Sequence, residues 1–262
     1  DGGFQPGSAC QNSASMAGHS KWKNIRIRKG KQDALRAKMF TRMAREIIVA
    51  AKLGGADPAT NARLRVAIEK AKENSLPKEN IERAIAKGSG DVEGENYEEL
   101  VYEGKGPGGV AFVVEVYSEN KNRTVGELRH AFSKNGGALG ENGSVMWQFK
   151  HCGNISVSST DADEETLTLT ALDAGAEDIV AESEGFTVIT PIESLHACND
   201  ALTGAGIKTS EISLTYMPTN SVEPSDDDLR QTVKLIDALE NLDDVKDVDV
   251  NVEIPEHILE EE

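Results

Sequence analysis

Long apolar runs, cysteines and aromatic side chains are all scarce in this sequence of 262 residues. No apolar stretch approaches the roughly 20 residues that a bilayer-spanning helix needs, so we predict no contact with a membrane. The three cysteines, Cys10, Cys152 and Cys198, lack the spacing of a disulfide framework, which indicates a reducing compartment and a cytoplasmic location. With only 5% aromatic residues, the cores must consist mainly of valine, isoleucine, leucine and alanine.

The first 15 residues have neither the charged start nor the apolar centre of a signal peptide. We interpret residues 1–15 as a leader left from cloning, placed ahead of a natural start at Met16.

The net charge of −17 conceals a separation between the two parts of the chain. Residues 16–90 contain 18 Lys/Arg and 7 Asp/Glu, whereas residues 91–262 contain 10 Lys/Arg and 37 Asp/Glu. A basic head on an acidic body predicts an oriented encounter with a polyanion, which attracts the head and repels the body.

A basic arm at residues 18–31 has a tryptophan among its cations. Cations displace the counterions of a phosphate backbone, and an indole can stack on a base, so this composition favours nucleic-acid binding. The alternative interpretation is that the arm is a solvated basic tail and that its tryptophan packs on the neighbouring helices. The candidate binding residues of the arm are Lys21, Trp22, Lys23, Arg26, Arg28, Lys29 and Lys31.

Residues 34–88 show the apolar periodicity of three short amphipathic helices, which can bury their stripes only against one another. We predict one helix over 34–53, a second that starts at Asp57-Pro58, and a third from Pro77 that stops at Gly88. Cations of the second helix, among them Arg63 and Lys70, are predicted to face outward. Four cations of the first helix extend the basic surface of the arm, although each is equally explained as a solvated charge: Arg36, Lys38, Arg42 and Arg45.

Beyond a Gly-rich acidic linker the apolar period changes to two, which indicates strands. Residues 97–149 predict β-β-α-β, residues 151–216 predict β-α-β-β-α-β, and residues 225–254 predict a helix and a strand. Three consecutive domains are the alternative, but the last helix and strand cannot bury their apolar faces alone, so we predict that they complete the first unit. The fold class is therefore α+β and multidomain, a basic three-helix bundle followed by two ferredoxin-like domains, the third inserted in the second. The predicted boundaries are 16–90 for the arm and bundle, 91–150 plus 217–262 for the discontinuous domain, and 151–216 for the insert.

Several short motifs in the sequence do not support a catalytic or ligand-binding site. Gly104, Gly106 and Gly109 match a dinucleotide fingerprint, but a strand rather than a helix follows, so we predict a tight connection between strands. Trp147 alternates with apolar neighbours and is predicted to be a core residue of a strand. His151-Cys152 and His196-x-Cys198 lack the spacing of a zinc finger. With no nucleophile elbow and no phosphate-binding loop, we predict a protein that is not an enzyme, with no catalytic residues, no metal and no cofactor.

Several separate motifs occur in one order along the chain: Met-Ala-Gly-His-Ser-Lys-Trp at 16–22, Tyr-Glu-Gly-x-Gly-Pro-Gly-Gly at 102–109, Asn-Arg-Thr-Val at 122–125, and Asn-Gly-Gly-x-Leu-Gly through Gly-Ser-Val-x-Trp at 135–147. In these motifs the chain resembles the YebC/PmpR family over nearly everything from Met16 onward. The resemblance implies three domains, the third inserted in the second. Lys105 departs from the pattern, since an aromatic residue is more usual there.

The resemblance also implies a role in gene expression. Members are commonly described as DNA-binding transcriptional regulators, whereas relatives that include a mitochondrial translational activator act with the ribosome. We therefore expect a DNA-binding transcriptional regulator, with a ribosome-associated translation factor that binds structured RNA as the alternative. Charge does not separate the two, because phosphate contacts carry no sequence information. A protein-interaction module whose basic head docks an acidic partner is the third class, and the acidic domains can offer a further protein-facing surface.

Overall fold

The computed structural model describes residues 32–90, 96–181, 185–255 and 257–258. Within these ranges the chain forms seven α-helices and eight strands, and the strands make two antiparallel sheets of four. None of the described helices is long and apolar enough to cross a membrane.

The first three helices are α1 (Gln32–Gly54), α2 (Ala62–Glu73) and α3 (Lys78–Ser89). Their apolar stripes meet in one core whose largest members include Ile47 and Leu64. The predicted start of the second helix at Asp57-Pro58 is wrong, because Asn61 caps it. The Asn61 side chain accepts a hydrogen bond from the Leu64 N–H at 3.0 Å and donates to the Ala50 carbonyl at 2.8 Å. The cap therefore also fixes α2 against α1.

The prediction that Gly88 ends the third helix is wrong. The helix continues to Ser89, and Gly90 ends it in the left-handed conformation (φ 84°). Gly88 instead lies where α3 meets α1: a Cβ atom there would lie 2.4 Å from the Ile48 carbonyl oxygen. The glycine is therefore required by the close approach of two helices.

The first sheet has the strand order β3-β1-β2-β8. Three of its strands precede residue 149, namely β1 (Glu98–Lys105), β2 (Ala111–Ser118) and β3 (Ala138–Leu139), whereas β8 (Val245–Val250) follows residue 218. Helices α4 (Lys121–Lys134) and α7 (Asp226–Glu240) cover one face, where Phe112, Leu128, Phe132, Leu235 and Val248 are among the core residues.

The second sheet consists of residues 149–218, in the strand order β5-β6-β4-β7. Its elements follow in the order β4 (Phe149–Ser158), α5 (Glu164–Asp173), β5 (Asp178–Ala181), β6 (Gly185–Thr190), α6 (Leu195–Gly204) and β7 (Thr209–Pro218). This is a split βαβ arrangement. Its core includes Ile155, Leu167 and Leu202.

The glycine-rich connection joins β1 to β2 through a 3-10 turn at Pro107–Gly109. A strand and not a helix follows this turn in the chain, so the glycines do not lead into a helix as they do in a dinucleotide-binding fingerprint. At Gly108 the φ angle is +62°, and a Cβ atom there would lie 2.5 Å from the Cβ of Pro224. The glycine thus serves both the turn and the packing of the segment before α7.

Trp147 is not a core residue, and the strand predicted around it is wrong. Residues Met146–Gln148 form a 3-10 turn, and Trp147 is 72% exposed. The cause is Glu103, which is buried and accepts hydrogen bonds from the N–H groups of Gly143, Val145 and Met146 at 2.6, 2.8 and 2.8 Å. Consecutive N–H groups that converge on one carboxylate cannot also alternate along a strand ladder.

The polar face of the last strand is buried at Asp249 and Asn251, whereas Asp247 is half-buried. Asp249 accepts hydrogen bonds from the Tyr216 N–H at 3.0 Å and from the Thr215 hydroxyl at 3.1 Å, so it joins β8 to β7 of the other sheet. Asn251 accepts a hydrogen bond from the Ala111 N–H at 2.7 Å. Both side chains are fully buried, because the second sheet covers this face of the first.

Candidate nucleic-acid interface

The seven candidate residues of the arm lie outside the described residues. Arg36 lies on α1, where the structure describes the backbone but not this side chain. Lys38, Arg42 and Arg45 lie further along the same helix and are described in full.

Lys38, Arg42 and Arg45 all face the carboxyl end of α7. The Lys38 ammonium donates to the backbone oxygen of Asn241 at 2.8 Å and to its side-chain oxygen at 3.2 Å. Arg42 donates to the carbonyl of Glu240 and Arg45 to that of Asp243. The last carbonyls of a helix have no partner within the helix and carry the negative end of its dipole, so cations are favourable there. The three side chains therefore connect the bundle to the first sheet domain, and their contact with nucleic acid stays a prediction.

A buried carboxylate completes this joint. Asp244 is 2% exposed and accepts from the Arg123 guanidinium at 2.9 and 3.0 Å, from the Thr124 hydroxyl at 2.6 Å and from Arg45 at 3.2 Å. Arg45 also lies over the Tyr97 ring, 5.0 Å from its centroid. One carboxylate thus ties α1 to α4.

Two bundle cations predicted to face outward pair with the sheet domains instead. Arg63 forms a two-pronged ion pair with Glu99 at 2.9 and 3.0 Å, and the Lys70 ammonium lies 2.8 Å from the Glu211 carboxylate. Burial opposes the charge on Arg63, but the hydrogen bond to Glu99 and the interactions with the Glu99 and Tyr117 side chains together outweigh it and raise the Arg63 pKa. The helical period predicted the surface stripe correctly, but part of that stripe is covered by other domains.

Beside this pair lies a cluster of charges on β1, β2 and β8 of the first sheet. The Lys246 ammonium lies 3.0 Å from Glu115 and 3.4 Å from Glu99, and 5.6 Å from the centroid of the Tyr117 ring. Burial raises the pKa of Glu115 to about 7, Lys246 opposes this shift, and the nearby Asp247 carboxylate adds to it. The cluster lies where the bundle and both sheets meet, so its charges stabilise the contact between them.

Five cations of the described bundle are exposed to solvent. Lys52 donates a hydrogen bond to the Asn96 side chain, and the other four are Arg65, Lys72, Lys78 and Arg83. Lys78 has a surface partner in Glu82 at 3.5 Å, and such exposed pairs contribute little. These side chains are open to an approaching polyanion, and they share the basic head with the arm.

Helix α4 is a basic element that the sequence reading missed. It carries Lys121, Arg123, Arg129 and Lys134, four of the ten Lys/Arg found after residue 90, with Glu127 as its single acid. A charge count over the whole acidic part hides this local excess, whereas a count by predicted element would have shown it.

The described residues contain no group of three or more His, Cys, Asp or Glu side chains that could hold a metal ion. Cys152 and Cys198 are buried thiols. Burial raises the pKa of Cys152 to about 11, so this thiol is protonated at neutral pH and unsuited to nucleophilic chemistry.

The comparisons with known proteins cover nearly the whole chain. Residues 20–91 match the TACO1/YebC protein N-terminal domain, and residues 97–252 match the TACO1/YebC second and third domain. The chain belongs to the TACO1/YebC family. Curated relatives in the TACO1/YebC family include a "Probable transcriptional regulatory protein" from Carboxydothermus hydrogenoformans, 50% identical over 242 residues, which are 91% of this chain and 99% of that protein.

A second relative with the same printed name, from Thiobacillus denitrificans, is 50% identical over 244 residues, which are 92% of this chain and 100% of that protein. Among solved structures, a conserved hypothetical protein from Aquifex aeolicus is similar with a TM-score of 0.80 and 44% identity, over 85% of this chain and 92% of that one. The TACO1/YebC assignment thus rests on sequence and on fold together, and the names of these relatives indicate a regulatory role.

Proposed function

We propose that this protein is a non-catalytic regulator of gene expression that binds duplex DNA through its basic arm and bundle. The observation that carries the proposal is the charge separation: 18 cations against 7 acids in residues 16–90, and 10 against 37 beyond them. A polyanion is drawn to such a head and repelled by the body. The names of the curated relatives support a role in transcription.

The cations of the basic head differ in whether the fold already uses them. Lys38, Arg42 and Arg45 are bonded to the carboxyl end of α7, so a phosphate would have to compete with those bonds. The arm and Arg36 are therefore the proposed primary contacts, and the exposed cations of the bundle add long-range attraction. Trp22 is proposed to stack on a base.

The salt dependence of binding tests this proposal. Each phosphate contact on duplex DNA contributes about 0.9 to the slope of log affinity against log salt. The triple variant Lys21→Ala, Lys23→Ala, Arg26→Ala is expected to lower that slope by about two to three units. The measurement is fluorescence anisotropy with a labelled 30-base-pair DNA duplex, from 50 to 300 mM salt.

A charge-matched control replaces three exposed lysines of the acidic part, Lys105, Lys150 and Lys208, by alanine and should leave the slope unchanged. If the salt slope falls equally in both triple variants, binding depends on net charge alone and not on the arm. A labelled RNA hairpin tests the alternative of an RNA-binding translation factor: tight hairpin binding with weak duplex binding would favour it. No binding of either probe at 50 mM salt would refute nucleic-acid binding altogether.

A further inference from the structure

A groove runs between α4 and the carboxyl end of α7, with a volume of about 560 Å³. One wall is a stripe of α4 residues spaced four apart, so they lie on one face of the helix. The floor is apolar and consists of Ala131, Ala238 and Leu242. The stripe residues are Asn122, Gly126, His130 and Lys134, and Arg123, Glu127 and Asn135 complete the lining, so one carboxylate and two cations face the groove.

The groove is continuous with the basic head. Leu242 lines it and also lines a smaller groove of about 170 Å³ whose other walls include Lys38 and Arg42 of α1. A nucleic-acid strand that lies along α1 therefore reaches the α4 groove across the turn after α7.

Arg123 and Lys134 line this groove, and Lys121 and Arg129 lie on the same helix. Lys121 pairs with Glu98 at 2.8 Å and Arg123 with Asp244 at 2.9 Å. Arg129 and Lys134, by contrast, are exposed and form no ion pair with any described residue. Lys234, one turn before Ala238 on α7, is likewise exposed and unpaired within the described part of the chain.

Gly126 has no explanation inside the protein. It lies in the interior of α4, where glycine is disfavoured relative to alanine. It is not among the glycines with positive φ, and no atom lies within 4 Å of the position where its Cβ would be. An open glycine in a helix that lines a groove is suited to a ligand that approaches the backbone closely.

We infer that this groove holds a stretch of sugar-phosphate backbone of the same nucleic acid that binds the arm. His130 and Lys134, which line the groove, and Arg129, which lies beside His130 on α4, contact phosphates. Sugars pack on the apolar floor, and Gly126 provides the space for close approach. This inference rests on the proposed function and extends it, because it places a second cationic contact in the otherwise acidic part of the molecule.

Two variants test the groove by different means. Arg129→Ala with Lys134→Ala removes two phosphate contacts, so the salt slope on the DNA duplex should fall by about 1.8 and affinity at 50 mM salt by roughly tenfold or more. Gly126→Gln keeps every charge but fills the groove. We expect it to weaken binding at least fivefold while the melting temperature stays equal to or above that of the unchanged protein, a combination that a purely structural role would not produce.

The control is Lys105→Ala with Lys208→Ala, which removes two exposed cations elsewhere in the same acidic part. The RNA hairpin is measured alongside the duplex, and either polymer qualifies as the source of the phosphates. If both groove variants bind like the control while the arm triple has lost its salt slope, the groove inference is wrong and the proposed function stands.

A third probe is a labelled poly-glutamate peptide. If the groove variants lose affinity for this peptide and keep full affinity for both nucleic acids, the groove binds an acidic protein segment and the inference is overturned. If the unchanged protein binds neither nucleic acid at 50 mM salt, the groove inference and the proposed function fall together.

Discussion

Asp244→Asn is the change that best tests the joint between the bundle and the first sheet domain. The substitution keeps the shape of the side chain but removes its charge. The carboxylate is 2% exposed and accepts bonds from Arg123, Thr124 and Arg45. The amide of asparagine must direct an N–H group toward at least one of these donors.

The expected loss follows from the contacts. Hydrogen bonds to a charged group contribute about 1.5–3 kcal/mol each, and loss of one partner of a buried ion pair costs about 3–5 kcal/mol. Because the Arg123 side chain is 42% exposed, water compensates part of its loss. We therefore expect Asp244→Asn to lower the free energy of unfolding by about 3 kcal/mol.

Urea denaturation followed by circular dichroism measures this change, and the neighbouring residue supplies the control. Asp243 is exposed, so Asp243→Asn removes the same charge one position away and should change stability by less than about 0.5 kcal/mol. If the two variants differ by less than about 1 kcal/mol, Asp244 does not hold the joint and the reasoning from burial fails.

Arg45 gives a second view of the same joint. If its role is structural, Arg45→Ala lowers the free energy of unfolding and leaves the salt slope of DNA binding unchanged. A fall of about 0.9 in that slope, with stability unaltered, would instead make Arg45 a phosphate contact.

Three further predictions concern the sheets and the bundle. Glu103→Gln should lower the free energy of unfolding by about 2–4 kcal/mol, because glutamine keeps only one accepting oxygen for the N–H groups of Gly143, Val145 and Met146. Hydrogen exchange should be faster at the amides that lose their acceptor, and unchanged exchange at all three would contradict the role of Glu103. Glu115 has its pKa raised to about 7, so its protonated form is favoured in the folded state: relative to Glu115→Gln, wild-type stability should be greatest below about pH 4.5 and fall by about 3 kcal/mol as the pH rises to 7. If the difference in stability between the wild type and Glu115→Gln does not vary with pH, the raised pKa of Glu115 is refuted. Gly88→Ala should cost about 1–3 kcal/mol by forcing α3 away from α1, whereas Gly204→Ala, with no atom within 4 Å of its Cβ position, should be neutral in the same thermal melts.

Much of the architecture is readable from local patterns. The apolar stripe of the first helix predicted that Met43 and Ile47 are buried, and the alternation of the last strand predicted that Val248 and Val250 are. Both patterns follow from the backbone itself, since 3.6 residues per turn or 2 per repeat determine which side chains share a face. The predicted element types agree with the structure almost throughout, apart from the strand around Trp147.

Less of the candidate site could be predicted from the sequence. The arm and its charge are evident in the sequence, but the basic face of α4 is masked by the acidic residues around it. The groove itself requires α4 and α7 to lie side by side, although more than 90 residues separate them in the chain. No local pattern carries that information.

The sequence by itself therefore determined the helices, the strands, the apolar faces and the separation of charge, because each depends on neighbouring residues and on backbone geometry. Only the tertiary structure decided which polar faces remain in water. Asp249 alternates with apolar residues on its strand and Arg63 was predicted to face outward, yet Asp249 is fully buried and Arg63 pairs with Glu99. The reason is physical: a polar face is solvated or buried according to what packs on it, and that partner comes from a distant part of the chain.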